Sequence, residues 1–324
     1  MSEYKKQTLQ ALERAQQDRA EKRAACFDDS KSLEERLRAF EQIGSILDQE
    51  FFGRALALVE NAEANPRLRA AALEKIAYLV GKDESLLDKV IFMLNDRTLP
   101  EELRQSALKV LQTNSFSSPI FPSKRPAYLA ALRALIDDEN KKLRETAIDY
   151  LALNRDEYVQ RRLVEGLESP DKQITKPELA VLYLGYDLHA DHFPILRKLA
   201  MNPPNEQTRR EALRNLAADS DSKDLLRETL TNQNENSEIR HICAVALQNL
   251  DPASFRAEAS RIIDDSSENE ELKVSLLNTL LHTPGSDTEK ITADLNKLME
   301  SPRKDTKAGA NKLFRLLEPK KGLR

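Results

Sequence analysis

Chemistry needs polar side chains that converge, and the chain gathers them in two places. Residues 239–252, IRHICAVALQNLDP, put one of only four histidines, His241, two residues from one of only two cysteines, Cys243. Such a pair suits a metal site or a thiol with its base. Residues 186–194, YDLHADHFP, hold Asp187, His189, Asp191 and His192. His189 and His192 are three apart, so on a helix both face one metal ion.

Both clusters also have a plainer reading. Residues i and i+2 of a helix point to different sides, which separates His241 from Cys243, and a buried free cysteine packs as a small hydrophobe. Asp191 stands where a loop enters a helix and suits an N-cap. No Ser or Cys occupies a nucleophile elbow, and eight glycines scattered over 324 residues form no phosphate-cradling loop. The residues therefore predict no catalytic group, no cofactor and no metal: the chain reads as a non-enzyme.

The elements that carry these residues form a repeat. Arg240 is followed at +3, +4 and +7 by Cys243, Ala244 and Leu247, one apolar face of a helix. The same spacing follows Arg69, Arg104, Arg144 and Arg209, and more weakly Arg36, Lys273 and Lys307; a degenerate copy near Thr175 keeps Leu179 and Leu182. The anchors are separated by 33, 35, 40, 31, 34, 31, 33 and 34 residues, a mean of about 34. Ahead of each lies a second amphipathic segment, such as FFGRALALVENA or SLLDKVIFMLND, and residues 3–25 play that part for the first copy. Stops such as NPR at 65–67 and NLDP at 249–252 divide the segments. Each unit is a helical hairpin that cannot bury its apolar stripe alone, so hairpins must stack. The predicted fold is all-α: a right-handed α-solenoid of about nine hairpins forming one array over residues 1–318, with a basic tail at 319–324.

Composition agrees. The chain is 32% charged and 5% aromatic, with no Trp and a formal charge of −4, which disfavours a general nucleic-acid binder. Residues 301–324 depart from this, with eight basic residues against Asp305 and Glu318. Two cysteines 217 positions apart are no disulfide framework and suit a reducing compartment. The N-terminus lacks a secretory apolar core, and no apolar run is long enough to span a membrane. A cytoplasmic monomer is expected.

Units reading NPRLRAAALEKIAYL and NSEIRHICAVALQNLDP resemble HEAT-like repeats, which are armadillo-like, and in particular the short bacterial type of the phycobilin lyases. The resemblance covers residues 30–318. Tetratricopeptide repeats would want Trp, and ankyrin repeats Thr-Pro-Leu-His, and the chain has neither. HEAT-like deoxyhypusine hydroxylases hold iron with His-Glu dipeptides, but no histidine here precedes a Glu. HEAT-like DNA glycosylases rely on Trp.

What remains is recognition. In such a fold the second helix of each hairpin lines the concave side. Its +5 positions read Glu41, Glu74, Lys109, Asp149, Ala180, Arg214, Val245, Asn278 and Lys312, acidic at first and basic later, with His241 beside them. The segment 113–127 breaks the period with three prolines and offers Phe116, Phe121, Lys124 and Arg125, either as a loop that clips a partner or as cover for a gap. The expected function is a scaffold that binds another protein along its groove. The alternatives are nucleic-acid association through the basic end, or a lyase-like or metal-dependent enzyme of the HEAT class.

Overall fold

A computed structural model describes residues 14, 16–44, 48–187 and 191–317, which are helical with no strand among them. Internal contacts concentrate in two units, Met1–Leu151 and Ala152–Arg324. The repeat alone treats 1–318 as one array. A stacked hairpin touches only its neighbours, so nothing in such an array ties distant repeats together.

The first unit holds α1 (residues 16–25), α2 (Leu33–Gln42), α3 (Gln49–Glu60), α4 (Pro66–Lys75) with its short continuation α5 (Ala77–Val80), α6 (Glu84–Asn95), α7 (Glu101–Ser117), α8 (Phe121–Leu135) and α9 (Lys141–Leu153), whose last two residues fall past the boundary. The second holds α10 (Glu157–Glu168), α11 (Pro177–Leu184), α12 (Phe193–Met201), α13 (Glu206–Asn215), α14 (Lys223–Thr231), α15 (Ser237–Leu250), α16 (Pro252–Asp264), α17 (Glu270–Leu281), α18 (Thr288–Met299) and α19 (Lys304–Leu317). Counting α4 and α5 as one helix, the described residues form nine consecutive helix pairs. Within each unit second helices stack on second helices, α4 on α7 in the first and α13 on α15 on α17 in the second. Each unit is an α-solenoid.

The repeat register explains the core. At the anchors 36, 69, 104, 144, 209, 240 and 273, every residue at +3, +4 and +7 is buried, Cys243 and Ala244 among them. Asn caps the second helix in several copies: Asn65, Asn205, Asn236 and Asn269 each accept from a backbone N–H of the first turn. At the last anchor Ala310 is buried, but Asn311 and Phe314 are only half-buried.

One copy corrects the sequence reading. In every other copy the anchor is the fourth residue of its helix, and α11 begins at Pro177, which makes Ala180 the fourth residue there. Ala180 is buried, whereas Leu182 is exposed. The register set from Thr175 is therefore slipped by five, the spacings flanking this copy become 36 and 29, and its +5 position is Gly185. Pro177 causes the slip, because it starts the helix later than the apolar spacing suggests.

The anchor residue itself has a structural role that spacing does not reveal. The guanidinium Nε donates to the carbonyl that ends the preceding helix: Arg36 to Cys26 (3.1 Å), Arg69 to Val59 (3.0 Å), Arg104 to Leu94 (3.1 Å), Arg209 to Ala200 (2.9 Å) and Arg240 to Leu230 (2.7 Å). Those carbonyls have no intrahelical donor and lie at the negative end of the helix dipole. Three of the anchors also take a carboxylate from the turn inside the next hairpin: Arg104 pairs with Asp138, Arg209 with Glu235 and Arg240 with Glu268. One side chain thus fastens its own hairpin and the next, buried at Arg104 and Arg240 and half-buried at Arg209.

Candidate functional site

The second helices of the first unit, α2, α4, α7 and α9, enclose a groove of about 690 Å³. Glu41, Glu74 and Lys109 line it. Two opposite pairs of these charges, however, are already closed. Glu74 accepts from Lys109 one repeat on and from Ser106 Oγ at 3.0 Å, and Glu34 accepts from Arg67 at 2.8 Å. Repeats stacked at a constant rotation place equivalent positions side by side, so opposite charges on successive rungs meet each other. The middle of the groove, at Ala70, Ala71 and Gln105, is small and uncharged. Sequence reasoning follows +5 and passes over these +1 and +2 positions and the −2 row, Glu34, Arg67, Glu102 and Lys142. The signal for them is the same repeat register read two residues before each anchor.

The other predicted rungs lie elsewhere. Asp149 is exposed on α9 and does not line the groove. In the second unit Arg214 is exposed and pairs at 2.6 Å with Glu211 one turn earlier on its own helix. Val245 is exposed. Lys312 is exposed on α19, as are Lys304, Lys307 and Arg315, and Arg303 is exposed just before it; none of these five has an ion-pair partner among the described residues. Residues 318–324, with the rest of the basic tail, lie outside the described residues. His241 is half-buried, its Nδ1 has no hydrogen-bond partner, and burial lowers its pKa.

The segment 113–127 is not a loop. α7 runs to Ser117 and α8 begins at Phe121, leaving only residues 118–120 between them. Pro122 sits at the start of α8, where a missing N–H costs nothing, and only Pro126 is interior. Phe121 is fully buried edge-on to Tyr128, with ring centroids 5.2 Å apart, so it belongs to the core. Lys124 pairs with Asp88 at 2.7 Å and lies 3.6 Å from Glu84, both on α6. Phe116 (87% exposed) and Arg125 face solvent.

The two clusters that suggested chemistry come apart. Burial pushes the Cys243 and Cys26 thiols up to about 12, which keeps them protonated and poorly nucleophilic. His189 lies outside the described residues. The residue that precedes α12 is His192, which correcting the reading of Asp191 as the cap makes the N-cap; its side chain caps nothing. It is buried, neither ring nitrogen has a partner, and burial lowers its pKa. No group of three His, Cys, Asp or Glu among the described residues could hold a metal ion. No described helix is long and apolar enough to cross a membrane.

No family model matches the chain, and no curated protein matches it. Among solved structures it is similar to human deoxyhypusine hydroxylase in complex with glycerol, at 15% identity and a TM-score of 0.29, over 93% of this chain and 96% of that one.

Proposed function

We propose that the chain is a non-catalytic interaction module of the HEAT-like type, which holds a segment of a partner protein in the groove of its first unit. The observation that carries this reading is the groove itself, about 690 Å³, whose lining balances four acidic against four basic side chains around the uncharged Ala70, Ala71 and Gln105. Such a floor accepts a polypeptide by shape and by hydrogen bonds from the Gln105 amide, and not by a net charge field. The reducing cytoplasm, where Cys26 and Cys243 stay thiols, is the compartment that fits.

The test is to plug the groove. Ala71→Arg with Gln105→Arg fills its middle without touching a core position, and full-length wild type and variant are used for affinity capture with mass spectrometry. The proposal expects partners recovered with the wild type to be lost with the variant, while both melt at the same temperature. Identical partner sets from both proteins would overturn it.

A second reading rests on α19, whose exposed, unpaired basic residues suit a polyanion. It requires a gel shift on a generic duplex that weakens steeply with salt and disappears when Lys304, Lys307, Lys312 and Arg315 are changed to Glu.

A further inference from the structure

A recess of about 700 Å³ opens between α3 and α6, walled by Val59, Phe92, Met93 and Leu99, with Arg69 on its lining. It shares no residue with the groove, so a ligand bound here is independent of the proposed function. Phe92 is 71% exposed, an unusual position for a large aromatic side chain. Arg69 is 6% exposed, its Nε is bonded to Val59, and its terminal nitrogens reach no acceptor among the described residues.

The other repeats show what is missing. The carboxylates that pair with Arg104, Arg209 and Arg240 lie in the turn of the next hairpin, five or six residues before the next anchor: Asp138 before Arg144, Glu235 before Arg240 and Glu268 before Lys273. In the turn that faces Arg69, the residues five and six before Arg104 are Leu99 and Thr98. The one acid in that turn that lines the recess, Asp96, is occupied by Thr98, whose N–H and Oγ1 donate to it at 3.0 and 2.6 Å. The rim charges are also spent, Glu60 on Lys89 and Asp88 on Lys124. Arg144 lacks a carboxylate too, but it is half-buried, does not line this recess, and its Nη1 donates to the Asp138 carbonyl. A desolvated guanidinium without its carboxylate, beside an exposed aromatic wall, presents a charge and an apolar surface together.

We infer that this recess binds an acidic peptide segment, with a carboxylate side chain on the Arg69 guanidinium and an adjacent aliphatic residue against Phe92 and Met93. The fitting chemistry is that of the chain's own turns, where Asp138 follows Leu135 and Ile136. A partner's acidic turn would take the place that Asp138 takes against Arg104.

Methyl NMR on the full chain labelled at its four methionines tests this, because Met93 lies in the recess and Met201 and Met299 belong to the other unit. The probe is acetyl-Leu-Ile-Asp-Asp-Glu-Asn-amide, and the control replaces its three acids by Asn, Asn and Gln. The inference expects the acidic peptide to move Met93 saturably and leave Met201 and Met299 in place, with the neutral peptide about tenfold weaker or more. Arg69→Gln and, independently, the exposed Phe92→Ser each weaken binding by about tenfold. Phe92→Ser removes no core side chain, so the test survives a misfolded Arg69 variant. Equal binding of both peptides, no movement of Met93, or unchanged binding by Phe92→Ser overturns the inference. Saturable movement of Met93 by octanoate but not by the peptide would also overturn it and assign the recess to a lipid carboxylate.

Discussion

The Arg240 guanidinium and the Glu268 carboxylate meet through two parallel hydrogen bonds of 2.8 and 2.7 Å, with both side chains almost wholly buried. The hydrogen bonds from Arg240 hold Glu268 below the usual carboxylate range, against the opposing effect of burial. Because Arg240 also donates to the end of α14, the pair joins two hairpins at one point. Arg240→Ala strands a buried carboxylate and should cost about 3 kcal/mol in urea unfolding. Arg240→Met with Glu268→Leu should recover most of that loss, because an apolar pair of similar size strands no charge, and the residual of about 1 kcal/mol belongs to the Leu230 carbonyl left without its donor. A double variant as unstable as the single one would show that the ion pair itself carries the stability.

Gly81 and Asn114 form a second fastening between repeats. Asn114 Nδ2 donates to Ala77 and Val110 carbonyls, each at 3.0 Å, and a Cβ on Gly81 would clash with Asn114 Oδ1. The φ of Gly81 is −70°, which any residue adopts, so the requirement is space and not backbone freedom. Gly185 and Asn215 repeat the arrangement in the other unit, with Asn215 Nδ2 donating to Val181 at 2.7 Å. Gly81→Ala should cost about 2 kcal/mol by displacing the amide. Its effect in an Asn114→Ala background should be smaller by about 1 kcal/mol, and strict additivity would refute the coupling.

The two phenylalanines of residues 113–127 should behave oppositely. Phe121→Ala empties a fully buried site and should cost about 3 kcal/mol, while Phe116→Ser should change stability by less than about 0.5 kcal/mol. Comparable losses in thermal or urea unfolding would contradict the two-helix description of this segment.

Acid should destabilise the protein in two steps. His192 and His241 have pKa values lowered from 6.5 by burial, so the unfolded chain binds protons before the folded one does. Stability is complete above about 6.5 and falls as pH drops through the window beneath it. Glu268 is lowered from 4.5, so its contribution is lost only in more acid solution. Melting temperature should therefore begin to fall between pH 7.5 and 5.5, and His192→Gln with His241→Gln should flatten that interval. A profile that is flat in the wild type, or equally steep in the variant, contradicts this.

The sequence and the structure agree where a single period governs. Cys243, Ala244 and Leu247 are legible as packing residues because the same spacing recurs, and hairpin stacking follows from it. The register fails at Thr175, where Pro177 decides the helix start and no cation marks the anchor. It also fails at 113–127, where the prolines suggest a loop although Pro122 serves a helix N-terminus. The anchor arginines are visible as a ruler, yet their partners lie 26 to 34 residues away, in turns whose acids look like ordinary solvated surface. The groove charges mislead for a related reason: Glu74 and Lys109 are 35 residues apart, and only the stacking brings them together.

Site-specific photo-crosslinking in cells bears most directly on the claim that the first unit's groove is the binding surface. A benzophenone amino acid replaces Gln105 on the groove floor or, as the control, Ala130, an exposed residue of α8 outside the groove. A partner held in the groove gives a discrete adduct of one protein from position 105 and none from position 130. No adduct at 105, or the same adducts from both positions, would contradict the claim.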